Sequence, residues 1–455
     1  MEPTAKDRLP MPHAGSVVPA ASRRALVDAA GGVLLAVLPV AVFWRGDFFF
    51  LFDDWTELAA ITQSGFVTYI VSPNSEIWFP LFRTVFYGLV HAVGANYGVY
   101  IAVNCLMLGV NAVVFARLLR RAVPPWMALI LAVVYVISPA NAVIAWNAFY
   151  LCYLLCLLFF LMAWLRTAAF LDAPGGGRLT GVALCGLASV LCHPATLLAL
   201  PVLPLYAWIA DPGALRQKAL PTALAVGAGM AVYIVLYVSF ADAGLLSILS
   251  PGNDAAFSMG GYLLHCLYGA FLSPFIQLYF RLDQAMVRFY FLSATGGVAV
   301  LLLIAMLSGT PRERAQGTCA VMANILIFAL VSLGRHQLLP AQALSPRYGF
   351  FSAAGLLLLF GAFWSILLRT GKNRFFAIML PLGFLGLLSM QTTTAFTALD
   401  SQYLHWSRAS RLAYYGYEAS AGRYTAQEAT AAILYPQLRV FTQGQAARLR
   451  LLLGD

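Results

Sequence analysis

Two carboxylates stand side by side in Phe52-Asp53-Asp54-Trp55, with Asp47 and Glu57 around them, in a chain of which only 10% is charged. A carboxylate in such a place can serve as a general base, taking the proton from a hydroxyl or amine as it attacks. The complementary charge lies on scattered arginines: Arg83, Arg335 beside His336, and Arg347 beside Tyr348. A guanidinium grips phosphate oxygens in a bidentate fork and neutralises the charge that gathers on a departing phosphate. Acids and arginines brought to one depth would therefore suit displacement of a phosphate by a hydroxyl.

The elements that must position these residues are membrane helices. Hydrophobic residues make up 61% of the chain and its mean hydropathy is +0.80, far from soluble averages. The first apolar run, 25–44, follows Arg23-Arg24 and is too long for the apolar core of a signal peptide; no small-residue cleavage pattern follows it, so it reads as a retained span. Further spans are expected at 97–116, 124–140, 148–165, 179–193, 195–210, 219–240, 289–307, 317–333, 348–368 and 375–392, about 11 in all. The expected fold class is all-α, a polytopic transmembrane helical protein.

Charge orients it. Arg23-Arg24, Arg117 with Arg120-Arg121, Arg166 with Arg178, Arg216 with Lys218, Arg312 with Arg314, and Arg369, Lys372 and Arg374 all flank spans on one side. Asp47, Asp53, Asp54, Glu57, Glu76, Asp242, Asp254 and Asp283 fall on the other, with only isolated arginines. The positive-inside rule then makes the N-terminus cytoplasmic. The chain's pI near 9.3 reflects this orientation and not nucleic-acid binding.

The chain divides into a cytoplasmic tail at 1–24, a transmembrane domain at 25–394 and an external helical segment at 395–455, with helical spacing at 426–438 and 445–453. Long external loops at 45–96, 241–288 and 334–347 carry the polar residues, as loops between membrane helices do when they have a task. Asp53-Asp54 is expected in an extended or turn segment, and the loop then leads into an amphipathic or re-entrant helix with His91. The seven cysteines fall mainly inside apolar spans without ligand spacing and read as small core residues. The chain has no phosphate-binding glycine loop of the nucleotide-hydrolase kind, no zinc-protease helix and no serine elbow.

Four features carry a resemblance. A first span is followed by a long external loop with the acidic pair Asp53-Asp54-Trp55; some twenty-five residues on comes Phe79-Pro80-Leu81-Phe82-Arg83; the next span runs from Tyr97 into Arg117, Arg120 and Arg121; and Arg347-Tyr348 opens a late span. In these the chain resembles the GT-C membrane glycosyltransferases, which include protein O-mannosyltransferases and lipid A aminoarabinose transferases. It departs from many of them in having Phe79, not an arginine, directly before Pro80.

The resemblance implies a GT-C-like enzyme that transfers a sugar from a polyprenyl phosphate carrier to a hydroxyl of a glycan, lipid or protein acceptor, with inversion at the sugar carbon. It implies that Asp53 or Asp54 is the catalytic base; adjacent side chains diverge, so one of the two faces the cavity. Donor phosphate would be bound by Arg83, Arg335, His336, Arg347 and Tyr348, and substrate would meet Trp55, Trp78 and His193. No cofactor is obligatory, although a divalent metal is compatible. The expected location is the bacterial cytoplasmic membrane, with the active site and C-terminus external.

Plainer readings stand beside these. Glu57, Glu76, Asp242 and Asp254 read as solvated acids, and Tyr69, Trp78, Trp146 and Tyr150 as members of the interfacial aromatic belt. Arg83, Arg335 and Arg347 could be anchors that snorkel to headgroups, and His193 could cap a helix. A lipid-linked glycan flippase would need similar arginines, but lining a path across the bilayer. A ligase or polymerase that uses a polyprenyl pyrophosphate donor would rely on a pair such as Arg335-His336.

Overall fold

The computed structural model describes residues 20–45, 48–51, 53–74, 77–94, 96–240, 284–335 and 346–371, and parts of 375–386 and 399–410. Its described elements are helical: α1 (Ala20–Phe43), α2 (Asp53–Gln63), α3 (Phe66–Val71), α4 (Pro80–Val93), α5 (Tyr97–Leu119), α6 (Pro125–Ile137), α7 (Pro139–Ala145), a 3-10 turn (Ala148–Tyr150), α8 (Leu151–Asp172), α9 (Gly176–Cys192), a 3-10 stretch (Pro194–Ala199), α10 (Val202–Ala210), α11 (Leu220–Phe240), α12 (Gln284–Ser308), α13 (Pro311–Arg335) and α14 (Pro346–Thr370). Extended pairing among the described residues is confined to one isolated bridge, Asn74 to Ile77. Every expected span up to residue 368 coincides with helix. The last one, 375–392, and the helical spacing at 426–438 and 445–453 lie largely or wholly outside the described residues.

Five described helices are long and apolar enough to cross a membrane, or six if the bent pair α6–α7 is one span. The bend, 59°, sits at Ser138-Pro139. Proline has no N–H to give and forces the preceding residue out of the helical region, and Ser138 adopts a ψ of 133°. The carbonyls that the break releases, those of Tyr135 and Val136, accept hydrogen bonds from the Asn141 side chain.

α8 is apolar around its whole circumference because neighbours enclose it, packing on α9 and α5. Its opposite is α11, which turns Leu224, Val235 and Val238 outward, as a lipid-facing helix does. Close crossings need small residues. A Cβ on Gly109 of α5 would lie 2.6 Å from the Ala36 carbonyl oxygen of α1, and one on Gly355 of α14 would lie 2.5 Å from Oδ1 of Asn324 in α13.

Ion pairs gather the basic clusters at one end of the bundle. Arg120 pairs with Asp28 at 3.0 Å, Arg121 and Arg312 share Asp172, Lys218 meets Asp211 at 2.7 Å and Arg369 meets Glu313 at 2.8 Å. The basic clusters read from the sequence thus meet at one end, where Asp28, Asp172, Asp211 and Glu313 partly neutralise them. The first loop, α2 to α4, forms the opposite end.

Candidate active site

The acidic pair opens α2 and is helical, not extended as expected; two acids in the first turn suit the partial positive charge of a helix N-terminus. Helical geometry sends their side chains in different directions. Asp54 is fully buried: one carboxylate oxygen accepts the Leu51 amide at 2.8 Å and the other the Phe149 amide at 2.6 Å. Burial, helped by the charge of Asp53 and opposed by those amide bonds, leaves its carboxyl pushed up to about 7. Asp54 thereby ties the start of α2 to the 3-10 turn before α8.

Asp53 is half-buried, its side chain 39% exposed, and its carboxylate lies 3.6 Å from Nη1 of Arg347. Arg347 follows Pro346 at the start of α14 and is 15% exposed. The same Nη1 donates to the Tyr150 hydroxyl at 3.3 Å, and the guanidinium lies 5.2 Å from the Tyr348 ring. Its buried Nε has no hydrogen-bond partner among the described residues. Three separated stretches thus meet: a carboxylate from the first loop, a phenol from the turn that Asp54 clamps, and an arginine with donor capacity to spare.

Arg83 stands elsewhere. Its Nε and Nη2 fork onto Glu57 at 3.0 Å each, while Nη1 donates to the carbonyls of Tyr69, at 2.9 Å, and Ser72. Glu57 also accepts from the Tyr69 hydroxyl and the Asn74 amide, each at 2.8 Å. Burial and the Glu57 charge push the Tyr69 phenol well above its ordinary range, so it stays a donor. The expectation of a solvated Glu57 fails here: the residue is wholly buried, because Arg83 and two further donors satisfy both of its oxygens. This network cross-links α2, α3 and α4, and the arginine's guanidinium is largely occupied by it.

The aromatic residues expected at the lipid interface are inside the protein: Tyr69, Trp78, Trp146 and Tyr150 are all buried. They pack between loop and helices, where their polar atoms find partners that hydropathy alone does not reveal. Trp78 donates to Val71 O at 2.9 Å and packs its ring against Tyr233, Tyr237 and Phe240 of α11. Trp55 is also buried, donating to Phe50 O at 3.1 Å and to Ser410 Oγ at 3.0 Å. Through Ser410, and through Asp400 paired with Arg45 at 3.0 Å, residues beyond the last expected span return to the first loop.

His193 is buried at the turn after α9. Its Nδ1 accepts from the Ala195 amide at 3.1 Å, which caps the following 3-10 stretch, and its ring stacks beside Phe79 and Tyr153. Tyr348 is buried, with its ring against Phe328. The structure thus brings Asp53, Arg347 and Tyr348 together, while Asp54, Trp55, Trp78, Arg83 and His193 are held by the fold. The side chain of Arg335 and all of His336, Asp47, Glu76, Asp242, Asp254 and Asp283 lie outside the described residues. Sequence reasoning missed Tyr150 as the partner of Arg347; its place just before a long apolar span is the only signal of it. No group of three His, Cys, Asp or Glu capable of holding a metal occurs among the described residues.

No protein-family model matches the chain, and no curated protein matches it significantly. Among solved structures, it is similar to ArnT from Cupriavidus metallidurans bound to undecaprenyl phosphate, with a TM-score of 0.46 and 16% identity over 96% of this chain and 77% of that one.

Proposed function

We propose that the chain is a membrane glycosyltransferase that moves a sugar from a polyprenyl phosphate to a hydroxyl acceptor, with Asp53 as general base and Arg347 as phosphate ligand. The observation that carries this reading is the Asp53–Arg347 pair at 3.6 Å, one side chain partly open and the other keeping a donor without a partner among the described residues. It supplies the two charges the reaction needs at one depth. The acceptor oxygen attacks the anomeric carbon, the carbon–phosphate oxygen bond breaks, and its electron pair leaves with the phosphate. Asp53 takes the acceptor's proton, and Arg347 neutralises the leaving group.

Direct displacement without a covalent sugar intermediate inverts the anomeric centre. Tyr150 and Tyr348 position Arg347, Asp54 holds the turn that carries Tyr150, and Arg83 holds the loop. Arg335 and His336, in the segment just before Arg347, are proposed as further phosphate contacts. We place this face on the outside of a bacterial cytoplasmic membrane, with the N-terminus cytoplasmic, acceptors among surface glycans, lipids or proteins, and no obligatory metal.

The test is a membrane assay with radiolabelled polyprenyl phosphate sugars and crude envelope acceptors. Label should move to an acceptor with wild type and not with Asp53→Asn, which keeps donor binding. Wild-type turnover in Asp53→Asn would sink the assignment. Movement of labelled lipid across reconstituted vesicles, with no donor consumed, would replace it by a transporter.

A further inference from the structure

At the basic end, opposite the site, a cavity of about 230 Å³ opens between α1, α5 and α6. Its origin is local. Gly109 lets α1 and α5 touch at Ala36, but toward the basic end Gly31 and Gly32 offer no side chains to fill the space between them; a Cβ on Gly32 would meet nothing within 4 Å. Beyond the Ala36–Gly109 crossing the two helices leave a wedge, spanned at its end by the Arg120–Asp28 pair.

The wedge is amphipathic along its length. Leu106, Val110, Val113, Arg117 and Arg120 recur at helical spacing on one stripe of α5. Leu106 and Val110 are exposed, Val113 lines the cavity, and the two arginines stand at its end. Across the gap Leu35 of α1 and Leu129 of α6 line the same cavity. Arg120 is shared with Asp28, and its buried Nε lacks a partner among the described residues. Arg117, one turn earlier and exposed, has no carboxylate partner among the described residues, so the wedge keeps a net positive charge at its mouth. An apolar track ending in guanidinium donors matches a molecule with an anionic head and a hydrocarbon chain.

We propose that this wedge binds one anionic phospholipid, with its phosphate at Arg117 and Arg120 and an acyl chain against Leu35, Val113, Leu129 and the exposed stripe of α5. The phosphate would accept from the guanidinium donors that Asp28 leaves over, and the small residues of α1 would admit the chain. This binding is independent of any sugar chemistry at the other end.

The test is native mass spectrometry of the full chain in detergent, titrated with phosphatidylglycerol, phosphatidylcholine or inorganic phosphate. Wild type should hold one phosphatidylglycerol at concentrations where phosphatidylcholine does not bind. Arg117→Gln should weaken that binding about five-fold, the worth of one cation near an anionic headgroup. Gly32→Leu, whose new side chain enters open space, should weaken it similarly by filling the wedge. Both variants should unfold at the wild-type temperature; if Gly32→Leu does not, Arg117→Gln alone decides. Equal phosphatidylglycerol binding in wild type and Arg117→Gln, equal affinity for phosphatidylcholine, or binding of inorganic phosphate as strong as that of the lipid would each overturn the proposal.

Discussion

Asp53 and Asp54 are neighbours in the chain and opposites in environment. One is partly exposed beside a guanidinium; the other has both oxygens bound to amides inside the protein. Asp53→Asn should lower transfer about 10²–10⁴-fold, the usual contribution of a general base, with donor affinity retained in an equilibrium binding assay. Arg347→Gln should instead weaken donor binding about ten-fold or more, since a hydrogen bond to a charged group contributes about 1.5–3 kcal/mol. Asp54 makes a different signature. Its folded-state value of about 7 lies above that of an unfolded carboxylate, so the folded chain holds the extra proton in between. Stability should therefore fall as pH rises from about 4 through about 7. In Asp54→Asn that component of the slope should vanish, as thermal unfolding in detergent across this range would measure.

At the scale of elements, the first loop is held by charge as much as by apolar contact. Glu57 and Arg83 lie 26 positions apart and join α2 to α4. Removing one partner leaves a buried charge without its counterion, so Arg83→Met should cost about 3–5 kcal/mol. Glu57→Leu with Arg83→Met should recover part of that loss, because two apolar side chains leave no orphaned charge. Denaturation of the two variants, followed by protease cleavage of the loop, measures both. Helix crossings set a second constraint. Gly109→Leu should separate α1 from α5, because the added atoms have nowhere to go but into the Ala36 backbone. Loss of folded yield would report it, whereas Gly32→Leu on the facing helix should fold normally.

For the whole molecule, the proposed orientation predicts opposite membrane sides for the paired basic clusters at one end and the first loop at the other. The described native cysteines are buried or half-buried, which favours a cysteine-free background for labelling. Gly65→Cys, in the exposed turn before α3, and Gly175→Cys, in the exposed turn before α9, should react with a membrane-impermeant thiol reagent from opposite faces of sealed vesicles. Labelling of both from one face would overturn the orientation and with it the external placement of Asp53. The described residues near 400–410 also return to the first loop, through Asp400 and Ser410. Truncation before residue 399 should therefore unseat Trp55, read as a shift of tryptophan fluorescence.

Hydropathy and arginine placement were enough to establish helices, candidate spans and the gathering of the basic clusters at one end. These depend on transfer free energies that each residue carries with it, whatever its distant neighbours. The break at Ser138-Pro139 was equally local in cause, although it is hidden inside one apolar run. The difference in environment between Asp53 and Asp54 was not local. Adjacent carboxylates have the same intrinsic chemistry, and only the approach of the Phe149 amide to one and Arg347 to the other makes them unequal. Nor could the sequence show Glu57 leaving water for Arg83, or four interfacial-looking aromatics turning inward. Burial and pairing are relations between residues far apart in the chain, and tertiary packing alone decides which of them meet.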